Sequence, residues 1–234
     1  MNKKTYFLAL FALLVLVGKN INFSAIIGAD NQFFTLYQFV GPIAGRFLGT
    51  TFGVASVLTA EVISFLISGK SFGVINLLRL TPMLFGAYYF GTKKRLTSAL
   101  IPATCMVLFN LHPVGRQAWP YSLYWLIPIL GRLLPNKVKG RLLLQSFGST
   151  FTAHAVGSTI FLYTVPMKSA AWLALIPVVA LERLIFGLGV AGSYVGVNAT
   201  LGLLTEKLRI PDRVLNIDKN YTLTKRKEAV QIKL

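Results

Sequence analysis

The sequence predicts an all-α fold, a polytopic bundle of transmembrane helices with six to eight spans and both termini cytoplasmic. Three observations lead there. The 234 residues are 54% hydrophobic and only 13% charged, where soluble domains carry about 25% charged residues. Long apolar runs fill most of the chain and are separated by short basic loops. The period-two alternation that an outer-membrane barrel needs is absent, which leaves helices as the spanning element. Residues 1–209 read as the membrane domain and 210–234 as a basic cytoplasmic tail, and a cell-membrane location follows.

The charge balance excludes several function classes. There are 24 Lys+Arg against 7 Asp+Glu, a net charge of +17. In a soluble chain that excess would point to nucleic acid, but no basic–aromatic binding module is present. The cations sit at segment ends, as the positive-inside rule and anionic lipid head groups predict. Anionic lipids are therefore expected partners and nucleic acid is not. Cys105 is the single cysteine, and His112 and His154 are the only histidines. No internal disulfide, metal site or cofactor is expected from so few ligands.

The elements follow in order. Residues 6–17 form the first membrane helix, a run without a signal-peptide cleavage site after it; Lys19 can snorkel from its end. Residues 20–32 are more polar and read as an external loop, and residues 33–40 as a short or re-entrant helix. Gly41, Gly45, Gly49 and Gly53 then recur every fourth residue, opening a long helix that runs to about Ser68. Pro42 suits its first turn. A stripe without side chains lets another backbone approach closely, so these glycines are candidates for docking a partner, with internal packing as the alternative. Residues 69–71 are an outer turn, 73–92 the next span, and Lys93-Lys94-Arg95 the clearest cytoplasmic loop. Residues 98–111 return outward, 112–116 turn, and 118–134 come back with Trp119, Tyr121, Tyr124 and Trp125 crowding the outer half. Residues 131–141 form the second basic loop. Residues 142–165 are a span rich in small and hydroxyl side chains, 166–169 a turn, and the last helix starts at Ala170 and ends by Pro211.

Charged groups at membrane depth are functional candidates by default. Glu61 lies nine residues before Lys70 and Arg79 nine after it. In an antiparallel hairpin turning at Lys70 both would lie roughly 13 Å from the turn, so an ion pair between them is expected. His154 and Glu182 flank Lys168 at fourteen residues each, which predicts a second pair near mid-membrane. Arg183, about 100° further round the helix, is expected to face another neighbour. No nucleophile elbow, Walker loop, zinc-protease motif or paired-carboxylate motif is present. The chain is therefore not expected to be an enzyme or to power transport by itself.

The short first helix, the loop bearing Gly28-Ala29-Asp30-Asn31, the short second helix and the run from Gly41 to Gly49 (GPIAGRFLG) resemble the substrate-binding S components of energy-coupling factor transporters. The later run from Thr150 to Pro166 and the Glu182-Arg183 helix are similar to the same group. That resemblance implies a mostly six-helix membrane protein that binds a vitamin-like micronutrient and works with a membrane coupling subunit and two ATPases. It also implies a ligand held toward the outer side. The substrate-binding candidates are Asn22, Asp30, Asn31, Arg79, Asn110, Trp119, Tyr121, Trp125, His154 and Glu182. Arg79 could meet an anionic group and the aromatic residues could stack on a ring. Three features depart from the family pattern. Ala9 and Ala12 are three apart rather than four, the segment between Ser98 and Leu134 exceeds six helices, and Asn2 stands where metal-importing relatives carry a histidine. The alternatives are an accessory subunit of a larger membrane complex and, third, an intramembrane enzyme acting on lipid.

Overall fold

A computed structural model describes residues 3–25, 33–69, 71–135, 138–207 and 215–223. Helix α1 (Lys3–Lys19) leads into a small antiparallel hairpin, β1 (Asn22–Ala25) with β2 (Phe33–Thr35). Then come α2 (Tyr37–Val40), α3 (Ala44–Phe47), α4 (Thr50–Ile67), α5 (Val74–Leu78), α6 (Pro82–Gly91) and α7 (Arg95–Leu111). Short helices α8 (Pro113–Gln117) and α9 (Trp119–Ser122) and a 3-10 turn (Leu123–Trp125) precede α10 (Leu126–Leu133). The chain ends in α11 (Arg141–Thr164), α12 (Ser169–Lys207) and a final 3-10 turn (Lys219–Tyr221). The fold is all-α apart from the hairpin, and α4 and α12 are long and apolar enough to cross a membrane.

Several expected boundaries are corrected. The polar stretch 20–32 and the short helix expected at 33–40 give way to the hairpin and the single turn of α2. The helix expected from Gly41 to Ser68 is two helices, α3 and α4. The break falls at Gly49, whose φ of 82° and ψ of 161° belong to a region essentially reserved for glycine. The span 73–92 is likewise broken, because α5 stops at Leu78 and α6 restarts at Pro82, where a missing N–H costs nothing. Residues 118–134 form α9, a 3-10 turn and α10 rather than one helix.

The glycine stripe is an internal contact. A Cβ on Gly53 would sit 2.2 Å from the Gly45 Cα, and one on Gly45 2.4 Å from the Ala87 carbonyl oxygen. A Cβ on Gly91 would meet the Gly45 carbonyl oxygen at 2.4 Å. Helices α3, α4 and α6 thus cross backbone to backbone. Gly41 is buried against Tyr37 and Met83, and only Gly49 has open space around it. At Gly41, Gly45 and Gly53 the close approach is therefore made by the protein itself, the internal-packing alternative, while Gly49 is open.

Two buried clusters form the core. One joins α1, α3, α4, α6 and the second half of α12 around Phe11, Phe47, Phe90 and Tyr194. The other gathers Phe109, Tyr121, Trp125, Phe151 and Trp172, with Phe109 edge-on to both tryptophans at 5.2 Å. Part of the expected free tail belongs to the fold. Leu215 is buried, the Asn216 amide donates to the Phe47 carbonyl, and Asn198 on α12 clasps Asp218 and Tyr221.

Candidate functional site

Between the two clusters lies a cavity of about 440 Å³. Its walls come from α2 (Tyr37, Gln38), α4 (Glu61), the α5–α6 corner (Arg79, Pro82, Met83), α9 (Tyr121), α11 (His154, Gly157, Ser158, Phe161) and α12 (Trp172, Val179, Glu182, Arg183). Local sequence explains the opening. Helix α5 ends before Arg79, so this side chain sits at an exposed corner of the rim. Gly157 presents no side chain toward Pro82, which leaves the gap between α6 and α11 unfilled.

Three hydrogen-bonded groups line it. The first joins Lys19 Nζ to Glu61 Oε2 at 2.6 Å, with the Tyr37 hydroxyl donating to the other carboxylate oxygen. In the second, Trp125 Nε1 donates to His154 Nδ1 at 3.2 Å, and His154 Nε2 lies 2.8 Å from the Tyr121 hydroxyl. An indole nitrogen can only donate, so the neutral ring carries its proton on Nε2. The Tyr121 hydroxyl accepts that proton's hydrogen bond and shares a second one with Ser158 Oγ at 3.1 Å. The third group is Glu182 with Arg183 at 3.5 Å, and Arg183 also donates to Thr150 Oγ1 at 3.2 Å. Two buried donors of the wall have no acceptor among the described residues, Arg183 Nε and Trp172 Nε1.

The expected pairings are corrected. Glu61 pairs with Lys19, not Arg79, and among the described residues no carboxylate lies within ion-pairing distance of Arg79. The α5–α6 break removes the continuous helix that equal depth assumed. His154 bonds to Tyr121 and Trp125 rather than to Glu182, whose partner is Arg183. All four of these charged or polar residues nevertheless line the same cavity.

Of the sequence-predicted residues, Arg79, Tyr121, His154 and Glu182 meet in the cavity. Trp125 is fully buried one layer behind, orienting His154. Asn110 ties α7 to α9 through Ser122, Trp119 is 54% exposed, and Asn22 is an exposed strand residue. These three do not line the cavity. Asp30 and Asn31 lie outside the described residues. Sequence reasoning missed Tyr37, Gln38, Ser158 and Trp172, and set Arg183 against a different neighbour. Among the described residues no three His, Cys, Asp or Glu side chains are placed to hold a metal ion.

No family model matches the chain, and no solved structure matches it. The chain is similar to an uncharacterized protein of Methanocaldococcus jannaschii, 26% identical over 164 residues. The match covers 64% of this chain and 55% of that protein, so the chain spans about half the length of the curated relative it matches.

Proposed function

We propose that the chain is a multi-spanning membrane bundle that captures a small, polar, acceptor-rich solute in the central cavity. The observation that carries this reading is the cavity itself. Among the described residues it is bounded by an arginine without a carboxylate partner, two buried donors without acceptors, and an aromatic wall. Buried donors left unpaired are costly, and a solute carrying carboxylate or carbonyl oxygens would supply what they lack. Mostly apolar walls with a few convergent polar groups are typical of small-molecule sites.

The membrane setting has its own support. Leu58, Val62 and Leu66 on α4, Leu96, Leu100 and Val107 on α7, and Leu181, Leu184 and Leu188 on α12 are exposed. Soluble monomers rarely expose apolar patches so extensive. Helices α1 and α7 have 17 residues each, roughly 26 Å at 1.5 Å per residue, close to the bilayer core. With α4, α11, α12 and the broken pairs α5–α6 and α9–α10, six to eight crossings are reasonable. Arg46, Arg95, Arg132 and Arg141 gather at one end of the bundle, which supports reading that end as cytoplasmic by the positive-inside rule. The cavity then faces outward.

A solute-capturing bundle without a nucleotide-binding loop needs energy from partners. This agrees with the resemblance to S components of energy-coupling factor importers, with a coupling subunit and ATPases supplied separately. The test is mass spectrometry of small molecules released from gently purified protein, with Arg79→Gln and His154→Gln variants alongside. A compound of vitamin size, near one-to-one in the wild type and lost in folded variants, is the expected result. An empty wild type that copurifies with stoichiometric membrane proteins would replace this reading with an accessory subunit.

A further inference from the structure

Arg132 is an arginine sealed inside the basic end of the bundle, away from the cavity. It is 2% exposed, and its guanidinium carbon lies 4.1 Å from the centre of the Tyr89 ring. Tyr89 cannot yield, since its hydroxyl donates to the Pro128 carbonyl at 2.8 Å and Gly148 leaves room for nothing larger beside the ring. Two of the Arg132 nitrogens, Nε and Nη2, have no hydrogen-bond partner among the described residues. Arg141 opens α11 beside it, with Nη1 donating to the Gly131 carbonyl at 2.8 Å and Nε again without a partner. The ion pairs among the described residues are Lys19–Glu61, Arg46–Asp218 and Arg183–Glu182, so none neutralises Arg132 or Arg141. Arg46 is near enough for its charge to be felt at both.

An uncompensated buried guanidinium is among the most expensive arrangements a protein can hold. Here it stands beside a second guanidinium and the first turn of a 24-residue helix whose cap, Gly140, offers no side-chain acceptor. Free amides and the positive end of the helix dipole favour an anion at that point. Arginine forks match the oxygens of a phosphate group in geometry as well as charge. Leu130, Leu133 and Leu134 are exposed on the flank of α10 next to Arg132, an apolar border suited to acyl chains.

We propose that Arg132, Arg141 and the first turn of α11 form a binding site for a phosphate group, supplied by an anionic phospholipid head group or by a free phosphate. This site lies about 18 Å along α11 from the level of Ala153 in the cavity and does not depend on what the cavity binds.

The test uses the full chain, purified and delipidated in a neutral detergent, with thermal unfolding as the readout. Three additions are compared: phosphatidylglycerol, phosphatidylcholine, and inorganic phosphate against sodium chloride of matched ionic strength. A saturating anion at this site raises the midpoint by about 5 °C. A rise with phosphatidylglycerol alone assigns the site to a lipid head group, and a rise with inorganic phosphate over chloride assigns it to a free phosphate. Arg141→Gln, at the partly exposed edge of the site, abolishes the rise in either case, and Arg132→Gln does so where it folds. No rise with either anion, equal rises with the two lipids, or an undiminished rise in Arg141→Gln overturns the proposal.

Discussion

Lys19 Nζ lies 2.6 Å from Glu61 Oε2, fastening the end of α1 to α4 at the wall of the cavity. The two partners are not equally placed, with side chains 20% and 9% exposed. Without Glu61, Lys19 can turn its ammonium toward water along its flexible stem. Without Lys19, the carboxylate stays buried with only the Tyr37 hydroxyl. Lys19→Met should therefore destabilise more than Glu61→Gln, by about 3–5 kcal/mol for the first. The Lys19→Met/Glu61→Gln double variant should recover much of the loss, because no charge is left stranded. Thermal unfolding of the four proteins in detergent gives the order. Strictly additive losses would show that the pair acts through something other than mutual neutralisation.

The hydrogen bond from Trp125 to His154 fixes a tautomer. With Nδ1 accepting at 3.2 Å, the ring proton sits on Nε2 and points at Tyr121. Nitrogen NMR of protein labelled at histidine should show His154 as the Nε2-protonated form. Trp125→Phe removes the donor while keeping a ring, and should let both tautomers appear. An unchanged spectrum in the variant would mean that Tyr121 alone orients the ring.

The Gly45–Gly53 contact leaves no room for a methyl group. A Cβ at Gly53 would stand 2.2 Å from the Gly45 Cα, so Gly53→Ala must separate α3 from α4, at a cost of about 2–4 kcal/mol. Gly49→Ala has space around it but must hold a φ of 82°, a strain of about 1–3 kcal/mol. Both losses should appear in unfolding midpoints of the protein without any partner. A Gly53→Ala variant of wild-type stability would return these glycines to the role of a docking face.

The helical character and the charged residues of the cavity could be read from the sequence, while the partners could not. Arg79, His154 and Glu182 stand out because charge and polarity at membrane depth are expensive wherever they occur. Pairing them needs to know where helices stop, and that is set at Gly49 and at the Leu78–Pro82 corner by backbone conformation. The glycine spacing gave a correct inference of close approach but could not tell an internal neighbour from an external one. Trp172 and Tyr37 were not legible because nothing in an apolar run marks which aromatic residue borders a void. The hairpin was hidden because its first strand lies in a stretch that reads as polar loop and its second in one that reads as a short helix.

Asn198 is fully buried on α12 and makes three hydrogen bonds to the returning chain. It donates to the Asp218 and Tyr221 carbonyls and accepts from the Asp218 amide, at 2.8–3.1 Å. Asn198→Ala leaves those backbone groups unpaired, at about 1–3 kcal/mol. Residues 215–223 should then exchange their amide hydrogens faster while α4 and α11 keep their protection. Hydrogen exchange read by mass spectrometry checks this. Uniform loss of protection would mean that the segment is needed for the whole fold rather than fastened onto it.

Arg132→Met asks whether the buried cation is stabilised by an anion. Methionine keeps much of the apolar length and removes the charge. In delipidated, phosphate-free detergent the wild type carries a guanidinium without an ion-pair partner among the described residues, packed on the Tyr89 ring, a contact worth about 2 kcal/mol when desolvated. Removing a buried charge that has no ion-pair partner removes its desolvation penalty, so the variant should then equal or exceed the wild type in midpoint. Adding the anion that fits the site should raise the wild type by about 5 °C and leave the variant where it was, so that the order of the two proteins reverses. Thermal unfolding of both, with and without phosphatidylglycerol and inorganic phosphate, measures the reversal. A variant that is less stable by the same amount under every condition would mean that Arg132 serves only its contact with Tyr89.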